Sequence, residues 1–226
     1  MPSGLDGNPN PVRSAQRDPL LAEVAERVCA FHQSTVFVAV DGAPAAGKST
    51  FADELARRIR SRGQSVVRST TDSFHNPRAV RGRRGLASAE GYFLDSHDID
   101  VLKSDLLEPL RTGRPFRTAH FDEPSDRAVT EVWHEPSADL VLVFDGLFLQ
   151  RPELASYWDF SIFLDADKRR ELNFEKWSAT ADRAQVAFAT RRYRHGWDLY
   201  VQQCSPSQRA DWVVENSDFE KPVRLR

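Results

Sequence analysis

Eight residues constrain this chain more than any others: Gly42 to Ser49 read Gly-Ala-Pro-Ala-Ala-Gly-Lys-Ser. They follow the strand-forming run Thr35 to Val40. They open a stretch in which Phe51, Ala52, Leu55, Ala56 and Ile59 recur at helical spacing. A strand, a glycine-bounded loop and a helix in that order build a phosphate cradle, because backbone N–H groups turn inward where a side chain would clash. In such a loop Gly42, Ala43, Pro44, Ala45, Ala46 and Gly47 form the wall, and Thr50 continues it into the helix. Lys48 neutralises the β- and γ-phosphates, and the Ser49 hydroxyl ligates Mg²⁺. The partly positive helix N-terminus faces the same anion. The octapeptide therefore points to a bound nucleoside triphosphate.

The chain has 226 residues, 40% of them hydrophobic, enough for one α/β domain with insertions. Its net charge of −2 gives no basic field for nucleic acid or an anionic membrane as a main partner. Cys29 and Cys204 are the two cysteines, which fits neither a zinc pattern nor a disulfide scaffold and suits a reducing cytoplasm. No apolar run is long enough to span a bilayer, and residues 1–18 read as a flexible polar tail without signal-peptide character.

Along the rest of the chain, residues 19–226 read as a single domain. The periodicity predicts a helix over 19–31, a second strand over 65–70 and a long surface loop over 76–96. A helix follows from Asp98 to Leu110, with Asp98 as its cap and Pro109 bending or weakening its last turn. Alternation over 115–121 and 128–134 predicts a hairpin inserted at one edge of the sheet. Leu140 to Phe144 and Phe160 to Leu164 are continuous apolar strands of the kind buried on both faces of a parallel sheet. Helices over 167–203 and a last strand over 211–215 complete the reading.

Phosphoryl transfer needs a metal ligand system, a group that orients or deprotonates the acceptor, and cations for the transferred charge. Asp145, at the end of an apolar strand, fits a Walker B acid holding Mg²⁺; the bland alternative is a turn-forming Asp-Gly pair. Asp72 ends the second strand and belongs on the same sheet edge, as base, metal ligand or a simple capping carboxylate. Among the late arginines, Arg192 and Arg194 are the first candidates for binding phosphate oxygens, against the alternative of a solvated helix face.

Together the phosphate loop, Thr71 to His75, Glu90 to Asp95, Val143 to Leu147 and Arg209 to Asp218 resemble the uridine kinase family, over roughly residues 35–222. The resemblance implies a three-layer P-loop NTPase fold with a mainly parallel sheet, an inserted β-hairpin and a helical lid. It implies an ATP- or GTP-dependent, Mg²⁺-requiring kinase acting on a hydroxyl, typically the 5′-hydroxyl of a nucleoside such as uridine or cytidine. By motif, Asp72 corresponds to the family's catalytic aspartate, Asp145 to a position where many members have glutamate, and Tyr92 to an aromatic residue near the acceptor. A homo-oligomer is consistent with the resemblance.

Two segments depart from the family's pattern. Members carry Tyr-Asp-Phe and a nearby His in the hairpin, whereas this chain has Ala119-His-Phe-Asp122, leaving His120 as the residue to replace those contacts. In the lid, Arg169 and Arg170 are offset, and Phe174 and Glu175 stand where arginines are usual. The altered hairpin favours a non-nucleoside acceptor, ribulose phosphate- or pantothenate-like, as the alternative. The irregular lid favours a low-turnover nucleotide-binding regulatory module. A regulatory GTPase fits less well, since the chain has no Asn-Lys-x-Asp motif.

Overall fold

The computed structural model describes residues 16–130 and 132–226. Residues 1–15 of the expected tail lie outside the described residues, and residues 17 and 18 belong to α1 (Arg17–Cys29) instead. The correction has a clear cause. Arg17 is buried and donates to Glu54 at 2.6 Å and to the Phe219 carbonyl at 2.8 Å, which ties the helix start to two distant elements.

The octapeptide joins β1 (Thr35–Gly42) to α2 (Lys48–Arg60), and β2 (Ser65–Thr70) follows. A 3₁₀ turn over Thr71–Phe74 leads into two short helices, α3 (Arg78–Arg81) and α4 (Ala89–Asp95). About half of the expected surface loop over 76–96 is therefore helical. Its glycines break the periodicity, yet Ser88 caps α4 by accepting from the Gly91 N–H at 3.0 Å, and Tyr92 and Phe93 are buried. Three of its arginines are paired rather than merely solvated. Arg83 and Arg84 both bind the buried Asp95, and Arg81 donates to Glu123 at 2.6 Å.

Asp98 caps the next helix by accepting from the Val101 N–H at 3.0 Å. That helix runs as α5 (Ile99–Leu102), a wider π turn over Lys103–Leu107 and α6 (Glu108–Arg111). Pro109 explains the widening: it lacks an N–H for the Asp105 carbonyl and its ring crowds it, and the Arg117 N–H takes that carbonyl at 2.9 Å. The hairpin pairs β3 (Phe121–Asp122) with β4 (Arg127–Ala128) in a separate two-stranded sheet. It does not extend the main sheet but lies beside β2, the strand at one edge of that sheet, as expected. It is pinned over the end of β2 by His120 N–H to Ser73 O at 2.8 Å and Ser69 Oγ to Thr118 O at 2.7 Å.

β5 (Leu140–Gly146), α7 (Pro152–Ala155), β6 (Phe160–Asp165), α8 (Asp167–Ser178), α9 (Arg183–Ala189), α10 (His195–Cys204), α11 (Pro206–Arg209), β7 (Trp212–Glu215) and β8 (Val223–Arg224) complete the described chain. The main sheet has the order β2-β5-β1-β6-β7-β8, parallel except for β8. Alternate residues of β1 divide the core. Val36, Val38 and Val40 pack with Leu21, Phe51 and Leu55 from α1 and α2, while Phe37 and Ala39 pack with Leu102, Leu106 and Leu110 on the opposite face. Burial on both faces gives the three layers and explains the unbroken apolar strands. Register then aligns the site, because Asp145 pairs with Val40 on one side and Thr70 on the other. Among the described residues no helix is long and apolar enough to cross a membrane.

Candidate active site

The phosphate loop leaves the carboxyl end of the central strand, where a parallel sheet presents ligands. Gly47 takes φ 82°, a left-handed conformation that favours glycine, and a Cβ there would lie 2.9 Å from the Phe219 ring. Lys48 folds back to donate to the Ala43 carbonyl at 2.9 Å, and Asn216, buried after β7, donates to the Ala46 carbonyl at 2.7 Å. Burial lowers the Lys48 pKa, and the carboxylates of Asp41, Asp145 and Asp72 oppose that shift.

Ser49 and Asp145 meet beside this loop. The Ser49 hydroxyl donates to one Asp145 oxygen at 2.7 Å, and Arg68 on β2 donates to the other at 2.6 Å. Two hard oxygen donors held together suit Mg²⁺, so the residues present fit the ion the family implies. Gly146 serves close packing, because a Cβ there would fall 2.1 Å from the Thr71 hydroxyl oxygen. That contact seats the turn carrying Asp72, whose N–H donates to Thr70 Oγ1 at 3.3 Å.

Asp72 lines two cavities at once. One, of about 370 Å³, is walled by Pro44, Lys48, Ser49, Thr50 and Asp145. The other, of about 530 Å³, is walled by His75, Arg81, Tyr92, Asp122 and Arg192. The structure therefore gathers the phosphate loop, Asp72, Asp145, Tyr92 and Arg192 around one pair of cavities. Arg192 is buried, donates to the Leu86 carbonyl at 2.9 Å and stacks 5.6 Å from the Tyr92 ring centre.

Two expected residues lie outside this pair of cavities. The His120 ring contacts Arg117 at 2.9 Å, and its hairpin neighbours Phe121, Asp122 and Glu123 line the second cavity instead. Arg194 donates to Glu171 at 2.7 Å, lies over Phe174 and lines a third, apolar cavity whose wall includes Pro44 and Ala45 of the phosphate loop.

Other residues escaped the sequence reading. Arg68 carries no motif. Asp41, an acid at the end of an apolar strand immediately before the loop, was the one readable signal. It is fully buried, accepts from the Tyr200 hydroxyl and from the Gly42 N–H at 2.8 Å, and burial pushes its pKa up to about 6 against those hydrogen bonds. His97, paired in backbone with His75, is buried as well.

A parallel sheet with a phosphate loop at its centre, an acid touching the loop's serine and a second acid between two cavities define a protein of the P-loop kinase type. The chain belongs to the Phosphoribulokinase / Uridine kinase family, whose model matches residues 37–215. A pantothenate kinase from Nitrobacter hamburgensis is 30% identical over 145 residues, covering 58% of this chain and 45% of that protein. A uridine kinase from Leuconostoc citreum is 26% identical, covering 58% and 61%. This chain thus spans about half the length of the pantothenate kinases it matches. The structure of a possible uridine kinase from Bacillus stearothermophilus superposes with a TM-score of 0.71 at 23% identity, over 87% of this chain and 97% of that one, a likeness of fold.

Proposed function

We propose that this chain transfers the γ-phosphoryl group of ATP or GTP to a hydroxyl of a small molecule, most readily the 5′-hydroxyl of a nucleoside such as uridine or cytidine. The observation that carries this reading is the position of Asp72, on the wall shared by the phosphate-loop cavity and its neighbour. A group placed there reaches both a terminal phosphate and an acceptor hydroxyl, which in-line transfer requires.

Each residue has a role in this reading. Loop N–H groups and Lys48 hold the triphosphate, and Lys48 neutralises charge on the transferred group. Ser49 and Asp145 would hold Mg²⁺, which when bound screens charge on the phosphate oxygens. The Asp72 carboxylate takes the proton of the acceptor hydroxyl as that oxygen forms its bond to phosphorus and the bond to the nucleoside diphosphate breaks. Tyr92 and Arg192 shape the acceptor side, and Arg192 supplies a guanidinium for the transferred charge.

A second reading, a pantothenate- or sugar phosphate-like acceptor, is favoured by the hairpin. His120 turns to Arg117, away from a nucleoside in the cavity, while Arg192 on the cavity wall offers a cation to an anionic acceptor. Phosphate transfer measured with Mg²⁺ and ATP or GTP across nucleosides, pentose phosphates and pantothenate tests both. Turnover with uridine or cytidine supports the first, turnover with a non-nucleoside alone supports the second, and nucleotide binding with no transfer to any acceptor would leave a regulatory module.

A further inference from the structure

Close to Asp72 stand two histidines that the proposed transfer does not use, one of which, His75, lines the acceptor cavity. His75 follows the Asp72 turn, and His97 follows α4. Their backbones face each other in an antiparallel bridge, fixed by Asn76 N–H to Ser96 O at 2.9 Å and Asp98 N–H to Phe74 O at 2.7 Å. Opposed residues in such a pair send their side chains to one side. The two imidazole rings stand 4.7 Å apart, centre to centre.

His97 is only 3% exposed, and neither of its ring nitrogens has a hydrogen-bond partner among the described residues. Buried polar atoms are ordinarily satisfied, so two orphaned nitrogens on one ring call for a ligand. One donor atom each from Asp72, His75 and His97 lie within 4.8 Å of one another. Ligands bound to one tetrahedral ion at about 2 Å lie about 3.4 Å apart, so binding would draw the three donors together.

We propose that Asp72, His75 and His97 form a site for a divalent transition metal ion of the Zn²⁺ or Co²⁺ type, distinct from the Ser49–Asp145 pair. Two imidazoles and one carboxylate suit such ions, whereas Mg²⁺ takes oxygen ligands. Of the cations that act on His97, Arg81 is paired with Glu123, Arg151 with Glu153, and Lys48 faces the carboxylates of Asp41 and Asp145. Asp72 and His75 line the acceptor cavity, so a fourth coordination position faces solvent or acceptor. Occupancy withdraws the Asp72 carboxylate from proton transfer, so the ion inhibits; this consequence, unlike binding, rests on the role of Asp72 proposed above.

The test uses the full chain in excess Mg²⁺. Equilibrium dialysis against Zn²⁺ should retain one equivalent, and Co²⁺ should give the visible bands of a low-symmetry site containing nitrogen ligands. His75→Gln and Asp72→Asn, both on the cavity side, should each weaken Zn²⁺ binding at least about tenfold. His97→Asn should do the same, with circular dichroism checking its fold. No retained Zn²⁺, or retention that survives both His75→Gln and Asp72→Asn, would overturn the site. Ligand-dependent Zn²⁺ binding in a chain that phosphorylates no acceptor would uphold the metal site and reject the kinase reading. Transfer without such binding would do the reverse.

Discussion

Ser49 donates its hydroxyl to Asp145 across 2.7 Å, joining the first turn of the helix after the phosphate loop to the end of the neighbouring strand. The contact follows from sheet order, because β1 and β5 are adjacent and parallel and end level with one another. Asp145→Asn should therefore raise the Mg²⁺ concentration needed for half-maximal transfer by at least about tenfold, since an amide lacks the charge that holds the ion. A Mg²⁺ titration of initial rates reads this directly, and an unchanged midpoint would remove Asp145 from the metal site.

Lys48 is the cation of the cradle, half-buried and surrounded by three carboxylates. Lys48→Ala should lower the transfer rate by about 10²–10³-fold and weaken triphosphate binding with it, because the charge is lost in ground and transition states alike. Calorimetry of nucleotide binding beside steady-state rates separates the two effects.

Asp41 makes stability depend on pH. Its folded pKa of about 6 lies above its ordinary 3.8, so between those values the folded state keeps a proton that the unfolded state has released. Stability then falls as pH rises through that window, by about 3 kcal/mol at most, and the loss is complete above pH 6. Denaturation of wild type and Asp41→Asn from pH 4 to 7 should show the variant gaining relative stability as pH rises. A constant difference would mean that Asp41 titrates normally.

Gly146 leaves room for Thr71, and through it for the turn that carries Asp72. Gly146→Ala would place Cβ 2.1 Å from the Thr71 hydroxyl oxygen. The overlap should cost about 1–3 kcal/mol in chemical denaturation and lower transfer more than nucleotide binding. Wild-type behaviour would show that the turn shifts freely.

The fold was legible wherever local pattern and tertiary role coincide. β1, β5 and β6 are buried on both faces, so their apolar runs speak without ambiguity, and the octapeptide carries its own geometry. Residues 76–96 were not legible, because short helices broken by glycine leave no periodicity, and what holds them is Asp95 receiving two arginines. The hairpin was legible in place but not in extent, since only Phe121–Asp122 and Arg127–Ala128 pair as strands.

The site divides the same way. The loop, Asp72 and Asp145 each close a readable strand. Arg68 reaches Asp145 over 77 residues and Tyr200 reaches Asp41 over 159, contacts that only the assembled sheet creates. His97 is invisible for the same reason, because its meaning depends on facing His75.

The central claim is that Asp72 serves the acceptor while the phosphate loop holds the donor, and Asp72→Asn tests it most directly. Measured under saturating Mg²⁺ and ATP with the best acceptor from the screen, the variant should lose about 10²–10⁴-fold in kcat while its Kd for ATP stays within about twofold of wild type. Full turnover in the variant, or an equal loss of ATP affinity, would contradict the account.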